Sequence, residues 1–533
     1  MHKNQKVIFL IFIGIAVVLG ITIGQNLNFT KQSHISLKNN HKDKINNLLQ
    51  YINEEYVDSI QTDSIVDIVI QDILRNLDPH SVYIPKQDVK EVDEEIDGAF
   101  TGIGVMFQQY HDTFTVIRPL ESSPALKAGI KSMDRILKVN NDTVYGKHID
   151  ITQLSKKIKG QSGTKVKLTV YRKSNDSLFE VKISRGAIPL VSVPAHFMLN
   201  DTLGFIKITG FAANTYDEFN EALKELKQKG MTSLILDLRD NSGGLLKQAD
   251  LIADEFLPNG QLIFYTKDQK GHINKVSATS RGEFEQGNLY VLINENSASA
   301  SEIVTGALQD NDRATIVGRR SYGKGLVQRE IALSDGSKIR LTTARYYTPT
   351  GRSIQRPYQK GHPWEYEQDF QKRQYNGELY YKDSIPKIDS LKYTTPKGKI
   401  VYGGGGIIPD IFVPLNPNDY IYQYSYLNRF LSEFITDYLD QHIDSLQTLT
   451  PQQYITNAKI ADDLYRHFIN KHGSKSAKKH KLENDQTREQ LKTLMKALLA
   501  RDLYGTNTYY QILIKNDAML QQIIPQKKLK HVK

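Results

Sequence analysis

Three short apolar runs constrain this chain most: SLILDL at residues 233–238, YVLIN at 290–294 and ATIVG at 314–318, each stopping at a turn of small or polar residues. Runs of five or six apolar residues are strand length, and the stretches between them carry helical patterning, so residues 187–415 are expected to form an α/β core. In such a core the strand-to-helix turns present side chains at element ends. Residues 355–399, polar, aromatic-rich and without clear period, read as an insertion in it.

The flanking regions have other rhythms. In residues 35–93 apolar residues recur at helical spacing (Ile45, Leu48, Leu49, Ile52; Ile65, Ile68, Val69, Ile73, Leu74) until Pro79 breaks the pattern in LDPHS, which predicts a small helical module. Residues 94–185 alternate over short stretches with Gly turns, as a compact β-rich module does. Beyond residue 416, amphipathic stretches at 426–443 and 487–503 predict a helical C-terminal domain. At 533 residues, 39% hydrophobic and 24% charged, the chain has material for several folded domains and no compositional case for disorder.

Near the start, after His2, Lys3 and Lys6, residues 7–24 read VIFLIFIGIAVVLGITIG without a charge. As a helix this run would span roughly 27 Å, enough to cross a bilayer. No small-x-small cleavage site follows it, so an uncleaved signal anchor is expected, with the remainder of the chain outside the cytoplasm by the distribution of positive charge. A bacterial inner-membrane anchor with a periplasmic catalytic part is the corresponding expectation. The net charge of +10 (69 Lys+Arg against 59 Asp+Glu) is diluted over the chain and does not argue for nucleic acid. The absence of cysteine excludes disulfides, Cys-ligated zinc and thiol nucleophiles, leaving Ser, Thr, Lys or a carboxylate as nucleophile.

Three turns are candidates for chemistry. Ser299, in NENSASASEIV, sits where a strand meets a helix whose first N–H groups favour developing negative charge; Ser299-x-x-Glu302 is equally a capping box. Lys324, in SYGKGLVQ, lies between two glycines, and burial would lower its pKa toward that of a general base; a surface lysine is the alternative. Gln328 shares a face with it if the segment is extended. The third turn, DLRDNSGG at 237–244, offers N–H groups that can form an anion nest, or simply begin a helix. A Ser-His-Asp triad is poorly supported, because His272 is the sole histidine between residues 232 and 328 and no Gly-x-Ser-x-Gly elbow occurs there.

Together these segments resemble the C-terminal processing peptidases, or tail-specific proteases, serine endopeptidases with a Ser–Lys dyad. The matching motifs run in family order: LDPHS (77–81), Gly102-Ile103-Gly104-Val105, DLRDNSGG (237–244), NSASASEIVTGALQDNDRA (296–314), GKGLVQ (323–328), LTTARYYTPTGRSIQ (341–355) and GIIPDI (406–411). The resemblance covers about residues 40–415. It implies a crotonase-like core with Ser299 as nucleophile, Lys324 as general base and Gln328 positioning the lysine. Backbone N–H groups of Ala300, Gly243 and Gly244 would hold the oxyanion, and neither cofactor nor metal is implied.

The β-rich module resembles a PDZ domain, in which Gly102, Ile103 and Gly104 would receive a terminal carboxylate while the tail of a protein substrate adds as a strand. Ile151, Leu154 and Ile158, at i, i+3 and i+7, would form the helical wall of that groove or part of the domain's own core. Relatives often carry Arg where this chain has Lys159, a residue assigned to coupling the PDZ domain to the active site; a lysine cannot make a bidentate contact. The rivals are a catalytically silent PDZ scaffold, which the presence of Ser299 and Lys324 disfavours, and a crotonase-like acyl-CoA enzyme, which the expected location disfavours. The oligomeric state stays open, a homo-oligomer included.

Overall fold

The computed structural model describes residues 41–146, 149–416, 428–472 and 485–524. The chain divides into two units, one ending at Val69 and one beginning at Ile70. Within the first, the helix His41–Glu55 leaves Ile45, Leu48 and Tyr51 exposed. The expected anchor at residues 7–24 lies outside the described residues; among those described, no helix is long and apolar enough to cross a membrane.

The second unit is organised around a sheet in the order Ala195–Met198, Leu203–Lys207, Ser233–Asp237, Asn288–Ile293, Thr315–Gly318, Ile411–Phe412. The first pairing is antiparallel and the others parallel. Because side chains alternate along a strand, SLILDL and YVLIN must be covered on both faces. Ile206, Leu234, Leu236, Val291, Ile293 and Ile316 meet one layer of helices, Thr215–Gln228, Leu246–Asp254 and Ala300–Asp310, through Phe219, Leu223, Ile252, Val304 and Leu308. Phe205, Ile235, Leu292 and Val317 meet Ile514, Met519, Leu520 and Ile524 from the end of the chain. The C-terminal region thus supplies the second covering layer of the α/β core.

A second sheet runs Val82–Ile84, Lys338–Tyr347, Leu262–Asp268, Ile273–Ser277, with Leu326–Ala332 also paired to Lys338–Tyr347. The strand Val82–Ile84 follows LDPHS directly, so the segment expected to close a helical module passes into a sheet of the core. Asp78 makes this turn: its Oδ1 accepts from the N–H groups of His80 and Ser81, both at 2.9 Å, and its Oδ2 from Ser81 Oγ at 2.6 Å.

The β-rich module is a sheet in the order Val105–Tyr110, Thr113–Pro119, Arg135–Val139, Lys165–Arg172, Ser177–Ser184, with the helix Ile151–Ile158. Phe114, Ile136, Leu154, Val166 and Leu168 form its separate core. The C-terminal helices, chiefly Asn428–Leu446, Ala458–His472 and Asp485–Tyr504, enclose Leu431, Leu439, Leu464, Phe468, Leu491 and Met495.

Residues 355–399 hold more order than their sequence suggests. They contain the helix Pro363–Tyr375, which buries only Tyr366 and Arg373, and the strand Lys392–Thr394 that pairs with Ile400–Tyr402. A helix fixed by so few buried side chains writes no apolar period into the sequence.

Candidate active site

Ser299 stands between the strand Asn288–Ile293 and the helix Ala300–Asp310, with φ +54° and ψ −112°. A positive φ is unfavourable for serine and persists only where the surroundings over-determine it. Here they do. Ala298 N–H donates to Asn241 O at 3.0 Å, Ser297 Oγ to Leu238 O at 2.8 Å, and Ser301 Oγ to Asn241 O at 2.9 Å, so the serine turn is sewn to the DLRDNSGG turn. Gly243, at φ +105°, allows this approach: a Cβ there would lie 2.7 Å from Ser299 Cβ and 3.0 Å from Ala300 N. Only glycine fits both the backbone and the space.

Lys324 reaches the same place from the loop after the strand Thr315–Gly318, and its Nζ donates to Gln328 Oε1 at 2.9 Å. The strand Leu326–Ala332 shifts register between Val327 and Gln328, yet the two side chains still meet, so strict alternation is not what joins them. Gln328 Nε2 in turn donates to His80 O. Burial, aided by the positive charge of Arg340, lowers the Lys324 pKa, against the opposing pull of Asp78 and Glu302.

Glu302 carries more than a cap. Its Oε2 accepts from the N–H groups of Ser299 and Lys324, both at 2.9 Å, while its Oε1 accepts from Gly323 N–H at 2.7 Å and from Ser321 Oγ at 2.5 Å. One fully buried carboxylate therefore joins the serine turn to the lysine loop. Burial pushes its pKa up, and these donors work in the opposite direction. Tyr346 makes a second joint, its hydroxyl donating to Lys324 O at 2.9 Å with Ser299 O at 3.3 Å. The capping pattern pointed to Glu302 for the helix alone, and Tyr346 lay unremarked inside LTTARYYTPTGRSIQ.

Ser299, Ala300, Gly243, Gly244, Lys324 and Gln328 all line one cleft of about 1020 Å³. The three expected oxyanion donors are not equivalent, however. The Gly243 N–H already donates to Asn241 Oδ1 at 2.9 Å, which counts against it as an oxyanion donor. Asp237 and Arg239, at the start of the same turn, form a bidentate pair (2.6 and 3.0 Å), and Arg239 Nη1 also bonds Asp517 of the C-terminal region at 2.5 Å. Burial raises the Asp237 pKa, but Arg239 and Lys207 outweigh it and leave it at about 2. His272 lies on an exposed hairpin, bonded to Asp268 at 2.9 Å, away from the cleft.

The expected tail-binding residues lie together in the β-rich module and not in this cleft. Ile103, Leu154 and Ile158 have their side chains in the module's core, the second of the two readings given for Leu154 and Ile158, whereas Ile151 is 48% exposed. Gly102 pairs with Gly186 across the strands Ala99–Gly102 and Gly186–Pro189, and Gly104, at φ +74°, packs where a Cβ would fall 2.4 Å from Ser123 Cβ. Lys159 makes a single ion pair with Glu94 at 2.8 Å and lies over the Phe100 ring at 4.8 Å.

Residues 202–361 match the model of peptidase family S41, residues 101–183 that of the PDZ domain, and residues 421–505 a family of unknown function. The carboxy-terminal processing protease CtpA of Bacillus subtilis (strain 168) is 32% identical over 357 residues, covering 66% of this chain and 76% of that protein. A "Probable CtpA-like serine protease" of Staphylococcus aureus (strain COL) is 35% identical over 347 residues, covering 64% and 67%. Among solved structures, a photosystem II D1 C-terminal processing protease is similar with a TM-score of 0.36 and 24% identity, covering 69% of this chain and 86% of that one.

Proposed function

Since this chain belongs to the S41 family of carboxy-terminal processing serine proteases and carries a PDZ domain, we propose that it cleaves through a Ser299–Lys324 dyad after its PDZ domain has engaged a free substrate tail. The observation that carries the dyad is the Lys324 Nζ to Gln328 Oε1 bond at 2.9 Å in the cleft that Ser299 also lines.

In the reaction, neutral Lys324 takes the Ser299 Oγ proton as Oγ attacks the scissile carbonyl carbon. The resulting oxyanion is received by the N–H groups of Ala300 and Gly244. Collapse breaks the C–N bond, and the leaving amine takes its proton from the Lys324 ammonium. Water, deprotonated by Lys324, then hydrolyses the acyl-enzyme and frees Ser299. Gln328 holds the amine in line, and Glu302 keeps nucleophile and base on one rigid frame. The uncharged run at 7–24 favours a membrane-anchored enzyme acting outside the cytoplasm, at the periplasmic face in a bacterium of that architecture.

The test uses protein lacking residues 1–24 and an unstructured substrate ending in apolar residues, with a free or an amidated C-terminus. Cleavage by wild type, its loss in Ser299→Ala and slower cutting of the amidated substrate are expected. A Ser299→Ala protein that cuts like wild type sinks the dyad; equal rates on both substrates sink the tail-reading role.

A further inference from the structure

Two parts of the chain have no role in the mechanism above: the histidine of LDPHS and the insertion 355–399. The structure brings both to the back of the lysine loop. From the insertion, Arg373 donates to Ser321 O at 3.0 Å and Arg320 O at 2.6 Å, and Glu378 accepts from Arg320 Nε at 2.7 Å and from Arg373 Nε at 2.8 Å. These groups are buried, so the insertion is bolted to the residues that lead into Lys324.

A second connection runs to the lysine amine itself. Tyr366, on the insertion's helix Pro363–Tyr375, places its hydroxyl 3.1 Å from His80 Nε2. The His80 carbonyl oxygen accepts from Gln328 Nε2, and Gln328 Oε1 accepts from Lys324 Nζ at 2.9 Å. Gln355 Nε2 approaches the same phenol oxygen at 3.4 Å, and Gln355 Oε1 accepts from Gly325 N–H at 2.8 Å. The Tyr366 ring also packs edge-on to His80, with centroids 5.3 Å apart, and lies 4.0 Å from the guanidinium carbon of the buried Arg356. The His80 ring thus has a fixed partner on one side, and the turn that Asp78 builds holds its backbone on the other.

We propose that Tyr366 is a positioning residue for the general base: through His80 it fixes the carbonyl that orients Gln328, and Gln328 orients the Lys324 amine toward Ser299. The insertion is on this account part of the catalytic apparatus, although it touches no reacting atom. Burial, with Lys324 next in weight, lowers the His80 pKa to about 3, so the imidazole stays neutral across the working pH range. The proposal rests on the dyad reading of the preceding section.

The experiment compares Tyr366→Phe, His80→Ala and the double variant with wild type, measuring kcat and KM per folded molecule across pH on the free-tailed substrate. Phenylalanine keeps the ring beside Arg356 and removes only the hydroxyl. Each single variant is expected to lose about tenfold in kcat at unchanged KM. The double variant should lose no more than either single one, since both cut the same connection. The acidic limb of kcat/KM should move to lower pH, because the amide oxygen that favours the ammonium is no longer held against it, while Arg340, Asp78 and Glu302, the charged groups around Lys324, are unchanged.

Wild-type kcat in the folded Tyr366→Phe protein, or losses that multiply in the double variant, would overturn the proposal. Should Tyr366→Phe fail to fold, His80→Ala carries the same expectation by itself and decides. Ser299→Ala runs alongside. A fully active Ser299→Ala protein removes the dyad and this proposal with it, whereas an inactive Ser299→Ala beside a fully active Tyr366→Phe removes the positioning role alone.

Discussion

Lys324, in the cleft that Ser299 lines, and Lys496, in the C-terminal helical domain, both leave water without forming an ion pair among the described residues. Burial lowers the pKa of both, that of Lys496 to about 8. Their surroundings then diverge. Lys496 Nζ donates to two backbone carbonyls, Ile455 O and Asn457 O, each at 2.9 Å, and so ties the end of the helix Pro451–Thr456 to the helix Asp485–Tyr504. Lys324 has one fixed acceptor, the amide oxygen of Gln328, and opens on a cleft that a strained serine shares. Desolvation prepares an amine for base chemistry, but the chemistry needs an unspent direction in which to take a proton. Lys496 has its hydrogens aimed at carbonyls and works as a peg.

That contrast can be broken most directly at the cleft. Lys324→Met is expected to lower kcat by about 10²–10⁴-fold with the fold retained. Lys324→Arg should not rescue it, since a guanidinium stays protonated; turnover and a thermal melt together check this. Gly243→Ala sets a Cβ 2.7 Å from Ser299 Cβ at a φ of +105°. It should abolish cleavage and cost roughly 1–3 kcal/mol in a denaturant titration, and an active Gly243→Ala enzyme would show that the turns are not packed as described.

Lys496→Met sharpens the other side. It leaves two buried carbonyls without their donor, so a loss of about 1–3 kcal/mol is expected with kcat unchanged. Because the Lys496 pKa is lower in the folded chain than the ordinary 10.5, the unfolded chain binds more protons between about pH 8 and 10.5. The Lys496 contribution to stability therefore rises with pH across that window, and the variant should lose this slope. His80 supplies the last comparison, on the acid side. With a folded pKa of about 3 against an ordinary 6.5, it contributes stability that is present above pH 6.5 and is lost as pH falls toward 3. Denaturation midpoints of wild type and His80→Asn over that range should converge at acid pH.

The C-terminal processing motifs made the dyad candidates legible because each of Ser299, Lys324 and the Gly243-Gly244 turn sits at an element end that local pattern reveals. The helical face of Ile151, Leu154 and Ile158 was legible as a periodicity but not as a function, since the same spacing serves a groove and a core, and two of the three went to the core. The helix Pro363–Tyr375 escaped because its docking depends on Tyr366 and Arg373, a tyrosine and an arginine with no apolar repeat around them.

The order of the core strands SLILDL, YVLIN and ATIVG, and the residue types at the turns that follow them, come from the sequence alone, because backbone propensity and short-range periodicity act over a few residues. That the Gly243 N–H is held by Asn241, which layer covers each face of the central sheet, and what stands behind Lys324 were decided only in the tertiary structure. The partners in those cases are far apart along the chain: Gln328 and His80 are separated by 248 residues, His80 and Tyr366 by 286. Each such hydrogen bond is specified by the packing of entire layers, and no local pattern in the sequence carries it.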